Sequence, residues 1–168
     1  MGDITFTASP WCAPADAAVA RGHLITLPAY ASQLLATRGM SYAHVTLGPH
    51  EFGTAIEPDG DGSHWFAIPP DVVSELASTV TVTIRPSRDW PEPAVPADID
   101  AVLAADPAAQ AIWNDITPAA RWDWVRWAGT ARQPETRARR VLSIPSRLRA
   151  GKRRPCCFDR NQCSLTVA

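Results

Sequence analysis

Ile4, Phe6 and Ala8 alternate with polar residues, the period-two pattern of a strand buried on one face. Residues 23–27 form a second short apolar run, ended by Pro28. From Pro28 to Thr37 the spacing turns helical, with Tyr30, Leu34 and Leu35 on one side and Gly39 placed to stop the turn. Tyr42, His44, Thr46 and then Phe52, Thr54, Ile56 alternate on either side of Gly48-Pro49-His50, which predicts a hairpin. A turn at residues 58–62 leads into an apolar run at 64–68, and Pro69-Pro70-Asp71 opens a short helix with Val72, Val73 and Leu76. Residues 79–84 are β-branched throughout and predict the clearest strand in the chain. Five or six short strands with two short helices describe a small barrel rather than a βαβ sheet.

The pattern changes at residues 86–96, where Pro86, Pro91, Pro93 and Pro96 exclude a helix or a central strand and predict an extended linker. Beyond it, Ile99, Val102 and Leu103 lie at helical spacing. Asp106-Pro107 and Thr117-Pro118 each read as a helix start, a capping side chain followed by proline in the first turn. The second of these helices carries Trp122, Trp124, Val125 and Trp127. Gln133-Pro134-Glu135 opens a basic helix through Val141, Leu142 and Leu148, with Pro145 expected to kink it or end it early.

Composition fits an ordered chain: of 168 residues, 46% are hydrophobic and 20% charged, so wholesale disorder is excluded. No apolar run approaches the roughly 18 residues of a membrane span. The first residues lack the basic and apolar regions of a signal peptide, so the expected compartment is the cytoplasm, where thiols stay reduced. The net charge of -1 hides a split. Residues 1–98 carry 4 Lys and Arg against 11 Asp and Glu, and residues 99–168 carry 12 against 6. Such asymmetry predicts either two sub-domains with different surfaces or a basic tail with an anionic partner, and the two halves could also attract each other.

The order of motifs carries a resemblance. Residues 95–99 (Val-Pro-Ala-Asp-Ile), 101–107 (Ala-Val-Leu-Ala-Ala-Asp-Pro), Ala111-Ile112-Trp113, Arg121, Trp127, 135–141 and 148–153 resemble the YdeI/OmpD-associated family, also labelled a bacteriocin-protection family. Phe6-Thr7-Ala8, 25–28, 52–58, Gly60-Asp61-Gly62 and 80–84 are similar to a small β-barrel domain of unknown function often fused in front of it. Together these segments span about residues 4–153. The resemblance implies a small β-barrel plus a helical module, and a role in stress or antimicrobial-peptide tolerance, with no catalytic residues to carry over. The family's Gly-Asp pair before the last strand is Ala77-Ser78 here.

Four constellations could carry chemistry. Cys156, Cys157 and Cys163, with Cys12 as a fourth thiol, could bind zinc as thiolates, act as redox sensors or be incidental tail residues; their spacing is not that of a zinc knuckle. Arg137, Arg139, Arg140, Lys152, Arg153 and Arg154 could neutralise the phosphates of a nucleic acid, or form a solvated, internally paired face. Trp113, Trp122, Trp124 and Trp127 fit a helical core, and alternatively a stacking platform beside Arg121 and Arg126. His44 and His64, with Trp65, could line a pocket in the barrel if their strands pair, and His50, Asp59 and Asp61 lie nearby in sequence. Asp59-Gly60-Asp61-Gly62 lacks the ligand pattern of a calcium loop and reads as a turn.

The sequence therefore predicts an α+β chain: a small N-terminal β-barrel with two short helices (1–85), a Pro-rich linker (86–96), a C-terminal helical module (97–153) and a Cys-containing basic tail (154–168). The expected function is that of a bacterial binding or adaptor protein in stress or bacteriocin tolerance, without a cofactor unless zinc binds the C-terminal cysteines. The partner is an unidentified protein or small-molecule ligand. Nucleic-acid association through the basic helix, and a small-molecule or metal-dependent enzyme with its pocket in the barrel, are the alternatives.

Overall fold

The alternation at the N-terminus is a strand for a physical reason: Ile4 and Phe6 of β1 (Ile4–Ala8) are buried while Thr5 and Thr7 face water. The computed structural model describes residues 2–13, 22–131 and 133–155, which divide into two compact units, one ending at Asp89 and the other beginning at Trp90. The first unit continues with β2 (Trp11–Cys12), β3 (His23–Thr26), α1 (Ala29–Gln33), β4 (Ser41–Leu47), β5 (His50–Pro58), β6 (His64–Ala67), α2 (Pro70–Val73) and β7 (Val80–Ser87). The strands form one antiparallel sheet in the order β1-β7-β4-β5-β6-β3-β2. Its end strands, β1 and β2, are joined by Ser9 and Pro10 alone, a link of about 10 Å at full stretch. The sheet must therefore curl, and it forms a half-barrel.

The concave side holds the core, which includes Ile25, Val45, Leu47, Ile56, Phe66, Val82 and Ile84, covered by Ala31 and Leu35 of the α1 segment and Val72 of α2. Burial of these side chains contributes roughly 1.5–3 kcal/mol each. In α1 the buried side is Ala31 and Ser32; of the three residues that the spacing grouped on one side, Leu35 is buried and Tyr30 and Leu34 are exposed. The helix is five residues long and ends before Gly39, so the face is set by which side meets the sheet.

The β4–β5 hairpin turns on Gly48 and Pro49, with His50 already in β5 opposite Leu47. Gly48 has φ 56, the left-handed geometry that a two-residue turn demands at its first position. In β4 the inward set is Ala43, Val45 and Leu47, because those aliphatic side chains have most to gain from burial. Tyr42, His44 and Thr46 thus take the convex face, where Tyr42 and His44 meet edge to face at 5.9 Å. Tyr42 lies across Gly53 of β5, and a Cβ at Gly53 would stand 1.9 Å from the Tyr42 hydroxyl oxygen. The last strand runs on through Pro86 and Ser87. Pro86 is tolerated because β1 pairs with β7 only up to Ile84, so no neighbour requires an N–H there.

One buried polar cluster ties α1 to the sheet. His64 is fully buried; its Nδ1 is 2.8 Å from Ser32 Oγ and its Nε2 is 3.1 Å from the Arg38 carbonyl oxygen. A carbonyl can only accept, so Nε2 carries the proton and Nδ1 accepts from the serine hydroxyl. The Arg38 guanidinium donates to both Ser32 oxygens and to the Gly62 carbonyl. Burial, and then the Arg38 charge, hold the His64 pKa below its ordinary 6.5, so the ring is neutral in the fold.

The second unit contains α3 (Ala97–Ala104), α4 (Pro107–Asp115), α5 (Pro118–Gly129) and α6 (Pro134–Arg149). Asp106 and Thr117 cap α4 and α5 through the backbone N–H groups of Ala109 and Ala120. Ile99, Leu103, Trp113, Ile116, Trp124, Trp127, Ile144 and Leu148 are among the residues of its core. Pro145 does not end α6 early: the helix continues through it to Arg149. Pro145, Ile144 and Leu148 are all buried, and this packing offsets the backbone hydrogen bond that the proline cannot donate.

Two variants check these packing arguments. Gly53→Ala should destabilise the first unit by about 1–3 kcal/mol in chemical denaturation, and adding Tyr42→Phe should recover part of the loss. Because the unfolded His64 takes up a proton at a higher pH than the folded one, stability should fall as pH drops below about 6.5, by at most about 1.4 kcal/mol per pH unit. His64→Gln, which keeps a donor and does not titrate, should remove this component from melting curves recorded between about pH 7.5 and 5.

Candidate functional site

The curled sheet opens along one line. β5 pairs with β4 from His50 to Ile56, but with β6 only through Glu57 opposite Trp65 and Pro58 opposite His64. Above those two pairs the strands part, because β6 stays with β3 and then turns at Pro69 and Pro70 into α2. The parting leaves a cleft of about 520 Å³ between Phe52, Gly53 and Thr54 of β5 and the segment that includes Ile68, Pro69 and Val73. Gly22 and His23 complete its wall. The lining is apolar except for the Thr54 hydroxyl, the His23 ring and main-chain groups, which suits a ligand held by shape and a few hydrogen bonds.

The barrel residues singled out from the sequence do not line this cleft. His44 is exposed on the convex face, on a strand that pairs with β5 and β7 and not with β6. His64 is sealed in its cluster with Ser32 and Arg38. A serine hydroxyl on an imidazole nitrogen resembles an activated nucleophile. Ser32 is 0% exposed, however, so no substrate can reach it and the pair serves to hold α1. Trp65 points to the convex side, packed with Leu24 and Ala13. His50 stands 3.3 Å from Glu75. Asp59 accepts hydrogen bonds from the N–H groups of Asp61 and Ser63, both at 2.8 Å, so its carboxylate organises the turn. Among the described residues no three His, Cys, Asp or Glu side chains gather as a metal site.

In the helical unit the basic residues are largely engaged. Arg137 pairs with Asp98 at 2.9 Å, Arg153 with Asp115 at 2.8 Å and Arg154 with the buried Asp123. Arg140 donates to the Trp127 carbonyl and the Thr130 hydroxyl, and its guanidinium lies 5.3 Å from the Trp127 ring centre. Burial, and then the neighbouring Arg139, lower the Arg140 pKa. Arg147 approaches the same ring at 5.0 Å, so two cations lie close to Trp127. Arg139, Arg140 and Lys152 are the members of the set for which no ion pair appears among the described residues, Arg140 being held by Trp127 and Thr130 instead. Arg121 is tied to Glu92, Trp113 and Asn114. Trp113, Trp124 and Trp127 are buried, with Trp124 and Trp127 edge to face at 5.6 Å, and half-buried Trp122 donates to the Pro91 carbonyl. Packing thus uses the tryptophans. Cys156, Cys157 and Cys163 lie outside the described residues, and Cys12 is an exposed free thiol.

Sequence reasoning placed Phe52 and Thr54 on one strand face but had no signal for the cleft, which depends on where β5 and β6 part. Ser32 and Arg38 were likewise missed, since they meet His64 only through the fold.

Comparison with known proteins agrees with this division. Residues 92–151 match the family model described as Bacteriocin-protection, YdeI or OmpD-Associated. Residues 6–84 match the model described as Domain of unknown function (DUF1905). No curated protein and no solved structure matches the chain. Among the described residues no helix is long and apolar enough to cross a membrane. The half-barrel thus carries the match to the DUF1905 model and the helices after it the match to the YdeI/OmpD-associated, bacteriocin-protection model, in the fused order that the sequence motifs implied.

Proposed function

We propose that this chain is a binding protein in bacteriocin tolerance, acting in the bacterial cytoplasm by holding a ligand in the cleft between β5 and β6. The observation that carries this reading is the cleft itself, a mostly apolar cavity of about 520 Å³ bordered by a strand edge that is unpaired among the described residues. The family description supports the physiological setting. The helical unit then serves as the adaptor part, with its core closed and most of its arginines engaged within itself. Nucleic-acid binding through the basic helix has less support, because Arg137, Arg140, Arg153 and Arg154 already hold carboxylates or carbonyls that phosphates would have to replace.

The test is survival of a bacteriocin-sensitive bacterial host expressing the full chain. The parent should protect, and Val73→Trp, which fills the cleft from α2, should reduce survival to that of the empty-vector host while keeping the parent's circular dichroism. Equal protection by this variant, or none by the parent, would remove the reading.

A further inference from the structure

One wall of the cleft is a strand edge to which no other strand among the described residues pairs. In an antiparallel hairpin alternate residues turn both backbone groups toward the partner strand, and the ones between turn theirs away. Asp59 donates its N–H to the Ser63 carbonyl at 3.1 Å, and Glu57 pairs with Trp65, so the odd-numbered residues of β5 face the β6 side. Gly53 and Ala55 share that parity. Opposite them β6 has already left, and no other strand of the described sheet pairs with this side of β5 at Gly53 or Ala55. The open edge covers residues 51–55, about 17 Å of strand.

We infer that the cleft accepts an extended, cationic peptide segment, which adds to β5 as a strand beside Gly53 and Ala55. This rests on the cleft's being the ligand site proposed above. The edge specifies an extended main chain, because only another backbone offers donors and acceptors at strand spacing to Gly53 and Ala55. The walls specify the inward side chains: alternate residues of an added strand would meet Phe52, Ile68 and Val73, so apolar side chains fit there. Charge specifies the rest. Glu51, Asp71 and Glu75 are exposed beside or near the lining residues Phe52, Pro70 and Val73 in the chain, and residues 1–89 carry 9 Asp and Glu against 4 Lys and Arg. A strand that alternates valine inward with lysine outward satisfies all three demands.

The test uses the full chain and a synthetic seven-residue peptide of alternating lysine and valine, blocked at both ends. Binding is read by fluorescence anisotropy, and the site by amide hydrogen exchange. The peptide should slow exchange at Gly53 and Ala55 and bind more weakly as salt is raised. N-methylation of its central amides should weaken binding about tenfold, since each methyl removes a ladder hydrogen bond. Ala55→Pro, which removes a donor on the open side and leaves the β4 ladder its bonds, should have a similar effect. Unchanged exchange at Gly53 and Ala55, or equal binding of the N-methylated peptide, would overturn the inference, and neither result depends on the variant's folding. If the peptide fails while Val73→Trp still abolishes protection, strand addition falls and the cleft remains the ligand site. If the peptide binds as described while Val73→Trp protects fully, strand addition stands and the tolerance reading falls.

Discussion

Two residues between β1 and β2 constrain the whole first unit. Strands at opposite ends of a seven-stranded sheet cannot be joined by Ser9 and Pro10 unless the sheet bends back on itself. Once it bends, one face becomes a closed interior, and the aliphatic member of each alternating pair moves to that side. The same curvature has to be released somewhere. It is released between β5 and β6, where pairing lasts for two residues and then stops. Core and cleft are therefore two results of one geometrical requirement.

The helical unit meets a different requirement, the placing of many cations on a small body. Arg121, Arg137, Arg149, Arg153 and Arg154 each lie against a carboxylate, and Arg140 and Arg147 lie against the Trp127 ring. Exposed pairs of this kind contribute little individually, about 0–1 kcal/mol. Arg154 differs because its partner Asp123 is 1% exposed, so removing the guanidinium would take a hydrogen-bonded cation from a buried carboxylate. The positive charge counted along this half of the chain is thus largely distributed in local pairs.

Legibility in the sequence followed the range of the interaction. Helix starts at Asp106-Pro107 and Thr117-Pro118 were readable because a cap and its proline act within one turn, and the start at Gln133-Pro134 through its proline alone. The hairpin around Gly48 was readable for the same reason. The face of β4 was less so: Tyr42, His44 and Thr46 alternate as regularly as Ala43, Val45 and Leu47, and the aliphatic set goes inside once the sheet curls around it. The extension of α6 past Pro145 was not legible, since a local rule against proline yields there to burial of Ile144 and Leu148 from other helices. For the candidate site the limit was sharper. Period-two spacing put Phe52 with Thr54, yet Val73 and Ile68 reach them through the parting of two strands, which leaves no mark at any fixed spacing. The Ser32–Arg38–His64 cluster depends in the same way on α1 meeting β6.

An unpaired edge on β5 also bears on the protein's behaviour at high concentration. A strand able to receive a foreign backbone is chemically able to receive the same strand of another copy, the route by which sheets grow into aggregates. Glu51 on that edge and Asp71 and Glu75 near it are exposed carboxylates, and such a pairing would bring the acidic sets of the two copies toward each other. Like charges directly opposed across a ladder are destabilising. Solubility of this domain is accordingly a matter of ionic conditions as well as of fold: acid or high salt, by neutralising or screening those carboxylates, weakens the barrier that keeps the edges of two copies apart.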